Sequence, residues 1–415
     1  MTVIERRRRA EKPAGRSSST IRKASFVAVA SVTALVVTAC SSGAGTATST
    51  SAGAGGAATT AAGGSGASGL AAAAAAVKAG LALPTWKAPG PSIDGTKLKG
   101  KKIFVIPITS QSAFVQQVEP AMQEAADAAG VTLTFFTNQG KPDQWVQGMN
   151  AAIAAKPDLI FLEAAPDPRL LQPQLQAAKA AGIPVVASHI WDEKDPDAPG
   201  CVGCENLTAV VKGPFSQAGA MTASWTVNDS QGKANVLLVG IQGINSGDLV
   251  IAAQKATFSA QCPECKVKVV SLTLDQITDG AIQPVTTALT ADPGINYIIP
   301  SFDILTAGTV ASLKISNRTE GTKVLGFGGT GVVMGMVADP TSNVAMDAAE
   351  PLAWTAYANM DQAFRILAGM SPVQSVTPAR IFDRTNISQA GSAPNYADGF
   401  GSDFKAGFLK LWNLG

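Results

Sequence analysis

Histidine is nearly absent from this 415-residue chain, which holds a single one, His189. That scarcity excludes a site built on several imidazoles, whether a zinc centre or a paired general acid and base. Charged residues make up only 15% and aromatic residues only 6%, against 46% hydrophobic residues. No nucleophile elbow, His-based acid/base pair or metal cluster is evident, so neither an enzyme nor a cofactor is expected. Gly328-Gly329-Thr330-Gly331 lacks the Lys-Ser/Thr ending of a phosphate loop and reads as a tight turn.

Long hydrophobic runs are missing as well. The uncharged stretch 24–40 falls short of the ~20 apolar residues that cross a bilayer, and Ser25, Ser31, Thr33 and Thr38 interrupt it. A retained membrane span is therefore the weaker reading of the first forty residues. A basic segment (Arg6 to Arg9, Arg16, Arg22, Lys23), the apolar run 26–37 and then Thr38-Ala39-Cys40 have the layout of a secretory signal. The cysteine after small residues resembles the lipobox of bacterial lipoproteins. That resemblance implies cleavage of residues 1–39, acylation of Cys40 and anchorage to the outer face of the cell membrane. Arg6 to Arg9 hint at twin-arginine export, but polar residues follow them.

The signal contains eight of the 32 basic and two of the 30 acidic residues, which leaves a mature net charge of −4. No clustered basic excess remains for a nucleic-acid partner. Residues 40–69 are mostly Ser, Gly, Ala and Thr and read as a flexible tether, with a root-mean-square reach of roughly 30 Å. Residues 70–100 read as a lead-in segment of a short helix and an extended stretch. The remainder exceeds what one core usually supports, so two lobes are expected.

From Lys101 short apolar runs alternate with longer amphipathic ones. Strands are expected at 103–108, 131–136, 158–162 and 183–187, with helices at 113–129, 143–155 and 170–181. The pattern repeats with strands at 235–240, 267–272, 297–300 and 324–327 and helices at 249–261, 280–291 and 304–316. A long helix at 210–227 is expected to join the sets, and another at 351–368 follows the second. Continuous apolar strands separated by helices predict an α/β fold of two doubly wound parallel sheets. Ligands in such sheets sit beyond the carboxyl ends of the strands, which directs attention to the loops after Ile108, Leu162, Ala187, Gly240, Pro300 and Phe327.

Residues 106–114 (IPITSQSAF), 150–160, 177–186 (AAKAAGIPVV) and 324–327 (VLGF) resemble, in order and spacing, the type I periplasmic substrate-binding proteins of the ribose/galactose-binding group. The resemblance covers about 100–370. It implies two Rossmann-like lobes joined by a multi-strand hinge, with crossings near 202–206, 344–350 and 379–386. The first lobe would comprise 101–203 plus 348–380 and the second 204–347 plus 381–415. Closure of the lobes around a ligand would be the hinge motion.

The departures from that family bear on the ligand. Its acidic-basic pair after the fourth strand is replaced by Ser188-His189, its late Asp by Gly328, and its arginine after Gly240 is missing. Asp and Arg forks satisfy several hydroxyls at once, so their loss weakens recognition of a simple pentose or hexose. Thr109, Ser110, Gln111 and Phe114 are candidate ligand residues after the first strand, with helix capping by serine and core packing of Phe114 as the alternative. Glu163, directly after the third strand, is a further ligand candidate. His189 either contacts the ligand or lines the hinge, and Trp191 is the preferred aromatic platform. Asn245, Ser246, Asp248, Phe302, Asp303, Gly328 and Asp347 complete the candidates. Asp303 alternatively caps the next helix, and Asp347 is alternatively a hinge group.

Besides Cys40 there are two CxxC pairs, Cys201/Cys204 and Cys262/Cys265, with 57 residues between them. That gap far exceeds the spacing of a zinc ribbon. In the implied fold one pair lies by the first crossing and the other at the far end of a helix, so two local disulfides are expected in an oxidising compartment. Zinc and thiol-redox chemistry are the lesser readings. The function implied is a lipid-anchored, monomeric solute-binding protein that hands a small sugar-like ligand to an ABC permease. A receptor of the same fold reporting to a membrane sensor, or a binder of a less polar ring compound, are the alternatives.

Overall fold

The computed structural model describes residues 62–415 except 165, 274–275, 278–280 and 393–395. The expected signal, Cys40 and the tether as far as residue 61 lie outside the described residues. Among the described residues no helix is long and apolar enough to cross a membrane.

The chain enters through helix α1 (Ala62–Gly80), so the last residues of the expected tether, 62–69, are helical. Alanine is the strongest helix former, and Ala73 and Val77 bury in an apolar layer. The first sheet then forms from β1 (Lys102–Pro107), β2 (Thr132–Phe135), β3 (Leu159–Glu163), β4 (Val185–Asp192) and β5 (Ala209–Gly213), in the order β2-β1-β3-β4-β5, all parallel. Helices α2 (Ala113–Ala129), α3 (Pro142–Ala155) and α4 (Gln172–Ala180) connect them. In α2 the buried Val115, Val118, Met122 and Ala126 recur at helical spacing, and Gly130 ends it at φ 66°, a left-handed cap that glycine adopts without strain.

The second lobe contains α5 (Phe215–Asp229), β6 (Asn235–Ile241), α6 (Asn245–Gln261), β7 (Lys266–Leu272), α7 (Ile282–Ala291), β8 (Tyr297–Pro300), α8 (Thr306–Ile315), β9 (Lys323–Phe327), α9 (Gly331–Ala338) and β10 (Val344–Ala349). After β10 come α10 (Leu352–Leu367), β11 (Arg380–Asp383) and α11 (Asp403–Leu411). The second sheet runs β11-β10-β9-β8-β6-β7, with only β11 antiparallel. Apolar layers cover both faces of each sheet, the arrangement that continuous apolar strands require.

Several details differ from the sequence reading, among them strands β10 and β11 and helix α9, none of which was expected. Residues 209–213 are not the start of a long helix but strand β5, paired with β4. The run Ala-Val-Val favours a buried strand, and α5 begins only after Pro214. The first crossing therefore falls at 213–215 rather than 202–206. The second joins β10 to α10, which packs on α2, and the third lies between the Lys212–Val376 bridge and β11. The C-terminal helix, expected in the second lobe, packs on α10 of the first. Its Phe404, Phe408 and Leu411, with Trp412, form an apolar stripe that stacks on Tyr357 and Phe364, and Trp412 Nε1 donates to Asp361 at 2.8 Å.

The segment after α1 is fastened to both lobes. Leu81 O accepts from Arg380 Nε at 3.0 Å and Pro91 O from Arg365 Nη1 at 2.8 Å. Trp86 meets the edge of Phe408 at 5.4 Å.

Candidate ligand-binding cleft

The loops at the carboxyl ends of the two sheets face one another and touch. Asn245 Nδ2, at the start of α6, donates to Ile190 O across the gap at 2.9 Å. The Gly331 N–H of α9 donates to Gln117 Oε1 of α2 at 3.2 Å. Between them lies a cavity of about 50 Å3, lined from the first lobe by Ile108, Leu170, His189 and Ile190 and from the second by Gly243 to Ser246. That is room for about three or four waters.

His189 occupies the centre of this region. Its φ is +61°, a conformation uncommon outside glycine and often found at functional positions. Its Nε2 lies 3.0 Å from Glu350 Oε2, and both side chains are buried. Thr377 Oγ1 donates to the same carboxylate oxygen at 3.4 Å. Glu350 sits at the second crossing and Thr377 beside the third, so this cluster links the first lobe to two hinge segments. His189 Nδ1 is buried and has no hydrogen-bond partner among the described residues.

Aromatic rings continue from this point. Phe114 meets the His189 ring at 5.3 Å, His189 meets Phe215 at 6.2 Å, and Phe215 meets Phe302 and Phe327 at 6.4 and 6.1 Å, all edge to face. Such contacts favour fixed ring orientations. The array begins in the first lobe, passes the hinge at Phe215 and ends in the second.

Not all expected residues join the cleft. His189, Asn245 and Ser246 line the cavity, Phe114 packs against His189, and Phe302 lies beyond it against Phe215 and Phe327. Thr109 and Ser110 brace their own loop: Thr109 Oγ1 accepts from the Gln111 N–H at 3.3 Å, and Ser110 Oγ from the Asn138 N–H at 3.1 Å. Gln111 is exposed. Trp191 is 3% exposed in an apolar layer with Leu171, Cys201 and Cys204, so it is a core residue and not a platform. The pairing of β4 with the unforeseen β5 carries its side chain inward. Asp248 is exposed on α6 and its charge reaches Arg169 of the other lobe.

Asp303 and Asp347 face each other inside the second lobe, not the cleft. A Cβ on Gly326 would lie 2.7 Å from Asp303 Oδ1 and 3.3 Å from Asp347 Cγ, so the two carboxyls meet above a residue that must be glycine. Asp303 Oδ2 accepts from Thr330 N and Oγ1 at 2.9 and 2.7 Å, capping α9 rather than α8. Burial pushes the Asp303 carboxyl up to about 6 against those hydrogen bonds. Burial, followed by the charge of Asp303, pushes Asp347 well above the usual range. Gly328, at φ 145°, lies on the same carboxylate, where a Cβ would come within 3.1 Å of Asp303 Oδ2. Glu163 is fully buried on the α2 side of the first sheet, and burial, with the nearby charge of Glu119, raises it well above normal.

Glu350, Phe215, Gln117 and Thr377 were missed. Glu350-Pro351 offered a signal, being a lone carboxylate next to a helix-starting proline at an expected crossing. Phe215 follows Pro214 inside what resembled continuous helix. Cys201–Cys204 and Cys262–Cys265 form the expected local disulfides, with Cα separations of 5.4 and 5.3 Å. Among the described residues no three His, Cys, Asp or Glu side chains gather as a metal ion requires.

A larger depression of about 260 Å3, lined by Tyr297, Thr322, Lys323, Asn343 and Arg384, lies at the amino ends of β8 to β10. It is at the opposite edge of the sheet from the cleft, and ligands of doubly wound sheets sit at carboxyl ends. The smaller, interlobe cavity is therefore the better site.

A solute-binding protein of an ABC transporter from Agrobacterium vitis, with bound allitol, has a similar fold. The two share 24% identity and a TM-score of 0.60 over 70% of this chain and 98% of that one. A 5-methylthioribose transporter solute-binding protein from Thermotoga lettingae, in complex with 5-methylthioribose, has 17% identity and a TM-score of 0.63 over 77% and 99%. A periplasmic ribose ABC transporter protein from Conexibacter woesei has 18% identity and a TM-score of 0.60 over 74% and 99%. No protein of curated function matches the sequence. The sequence profile of the periplasmic binding protein domain matches residues 103–370, and the chain belongs to that family.

Proposed function

We propose that this protein is the solute-binding component of an ABC importer, capturing a small sugar-like ligand between its lobes without chemically changing it. The observation that carries the reading is the convergence of carboxyl-end loops from both lobes on one cavity containing a buried, half-partnered histidine. The lobes are linked by short crossings, so hinge closure can report occupancy to a membrane partner. The structurally similar proteins bound to allitol and 5-methylthioribose favour a hydroxylated ligand. Lipid attachment at Cys40, after removal of residues 1–39, would hold the binder at the membrane and raise its concentration near the permease.

Thermal-shift screening of the protein from residue 41 onward against sugars, polyols, nucleosides and aromatic acids tests the binding role. A sugar or polyol should give the largest rise in melting temperature, since a ligand that binds only the folded state stabilises it. A largest shift from an aromatic acid or nucleoside would overturn the ligand class. Replacing Cys40 by Ser should release the protein from the membrane fraction, and retention there would overturn the anchor.

A further inference from the structure

The chemistry of the cleft wall narrows the ligand further, on the reading that the cleft holds a sugar or polyol. Glu350 as a carboxylate only accepts hydrogen bonds, so the proton between it and His189 sits on Nε2. In the neutral ring Nδ1 is then an acceptor, and it is buried with no donor among the described residues. A hydroxyl is the kind of group that would satisfy it. Most of the remaining wall offers no such partner. Ile108, Leu170, Ile190 and Ile244 present carbon, the Trp145 Nε1–H is spent on Ile108 O at 2.9 Å, Asn245 Nδ2 on Ile190 O and the Asp167 carboxylate on Arg169, which leaves Ser246 as the other polar side chain of the wall. A fully hydroxylated ligand would bury polar groups against these chains without partners, which disfavours it.

We propose that this cleft selects a small sugar or polyol in which one hydroxyl is missing or replaced by an alkyl group. A ligand hydroxyl donates to His189 Nδ1, and the apolar edge packs against Ile108, Leu170, Ile190 and Ile244. The asymmetry sets specificity, because a pocket of this kind discriminates a group the size of a methylene by roughly 10- to 200-fold.

Isothermal titration with matched pairs, D-ribose with 5-deoxy-D-ribose and D-allose with 6-deoxy-D-allose, tests the proposal on the unmodified protein. In at least one pair the deoxy sugar should bind about tenfold or more tightly than its parent. Equal or tighter binding of the parent in every pair that binds would overturn the proposal while leaving the sugar-binding role intact. If none of the four binds, the proposal fails, and the thermal-shift panel decides whether the sugar-binding role fails with it. His189→Leu should weaken all binding probes about tenfold or more, whereas His189→Asn, which keeps a polar atom at the δ position and tolerates positive φ, should weaken them less. Equal losses in the two variants would remove Nδ1 as the hydroxyl acceptor.

Discussion

His189 Nε2 and Glu350 Oε2 stand 3.0 Å apart across the boundary between the first lobe and the second hinge crossing, both out of solvent. The bond engages Nε2, leaves Nδ1 without a partner among the described residues, and ties a cleft residue to the second crossing between the lobes. Glu350→Ala would leave a buried imidazole N–H without an acceptor and should lower stability by about 1–3 kcal/mol. Glu350→Gln retains an acceptor and should lose less than half as much. Urea unfolding of both variants checks this, and equal losses would show that the bond is not what Glu350 contributes.

The carboxyls that meet above Gly326 set a pH dependence. Asp303 is raised to about 6 and Asp347 well above normal, so the folded chain keeps protons that the unfolded chain has released. Their contribution is undiminished below the unfolded value near 4 and is lost as pH climbs through about 6. Asp347→Asn removes one acid and can donate to Asp303. The variant should gain about 1–3 kcal/mol over the wild type at pH 7.5, with the advantage disappearing near pH 4. Denaturant unfolding across pH 4–8 measures the difference. A constant difference at all pH values would exclude the shared proton. Glu163 acts in the same direction, so only the difference between the two proteins is diagnostic.

Helix α1 lies close on α6 because Gly69 has no side chain: a Cβ there would sit 2.2 Å from Gln261 O. Gly69→Ala must therefore push α1 outward and should destabilise by about 1–3 kcal/mol, despite the better helix propensity of alanine. A neutral or stabilising result would mean that α1 contributes nothing to the second lobe.

Each disulfide closes a loop of only four residues. On the chain-entropy account such a loop contributes roughly 2 kcal/mol. Reduction should thus lower the melting temperature by several degrees without abolishing the fold, and non-reduced peptide mapping should link Cys201 to Cys204 and Cys262 to Cys265. A peptide joining Cys201 to Cys262 would contradict the fold.

The sheets were legible in the sequence because most of the expected strands are nearly continuous apolar runs separated by helices, the pattern of covered parallel sheets, with only the edge strands β2 and β7 broken by Thr132, Thr134, Lys268 and Ser271. Strand β5 was not, since Ala209-Val210-Val211 joins a helical stretch with only Pro214 to mark the break. The placement of α11 was invisible for a different reason. Its aromatic stripe announces burial but not the partner, and Tyr357 and Trp412 find each other across 55 residues of chain. Site residues divided by their depth along a strand. Asn245 and Phe302, in loops, lie where the carboxyl-end rule puts them. Trp191 and Asp347 lie inside strands, where side-chain alternation decides between cleft and core and a bulge in β4 changes the count.

Titration calorimetry on two variants tests most directly where the ligand binds. With whichever sugar or polyol binds the wild type most tightly, His189→Leu in the interlobe cavity should weaken binding about tenfold or more. Arg384→Ala, in the larger depression at the amino ends of β8 to β10, should leave it unchanged. The opposite pattern, with Arg384→Ala weakening binding and His189→Leu leaving it intact, would contradict the assignment of the cleft as the ligand site.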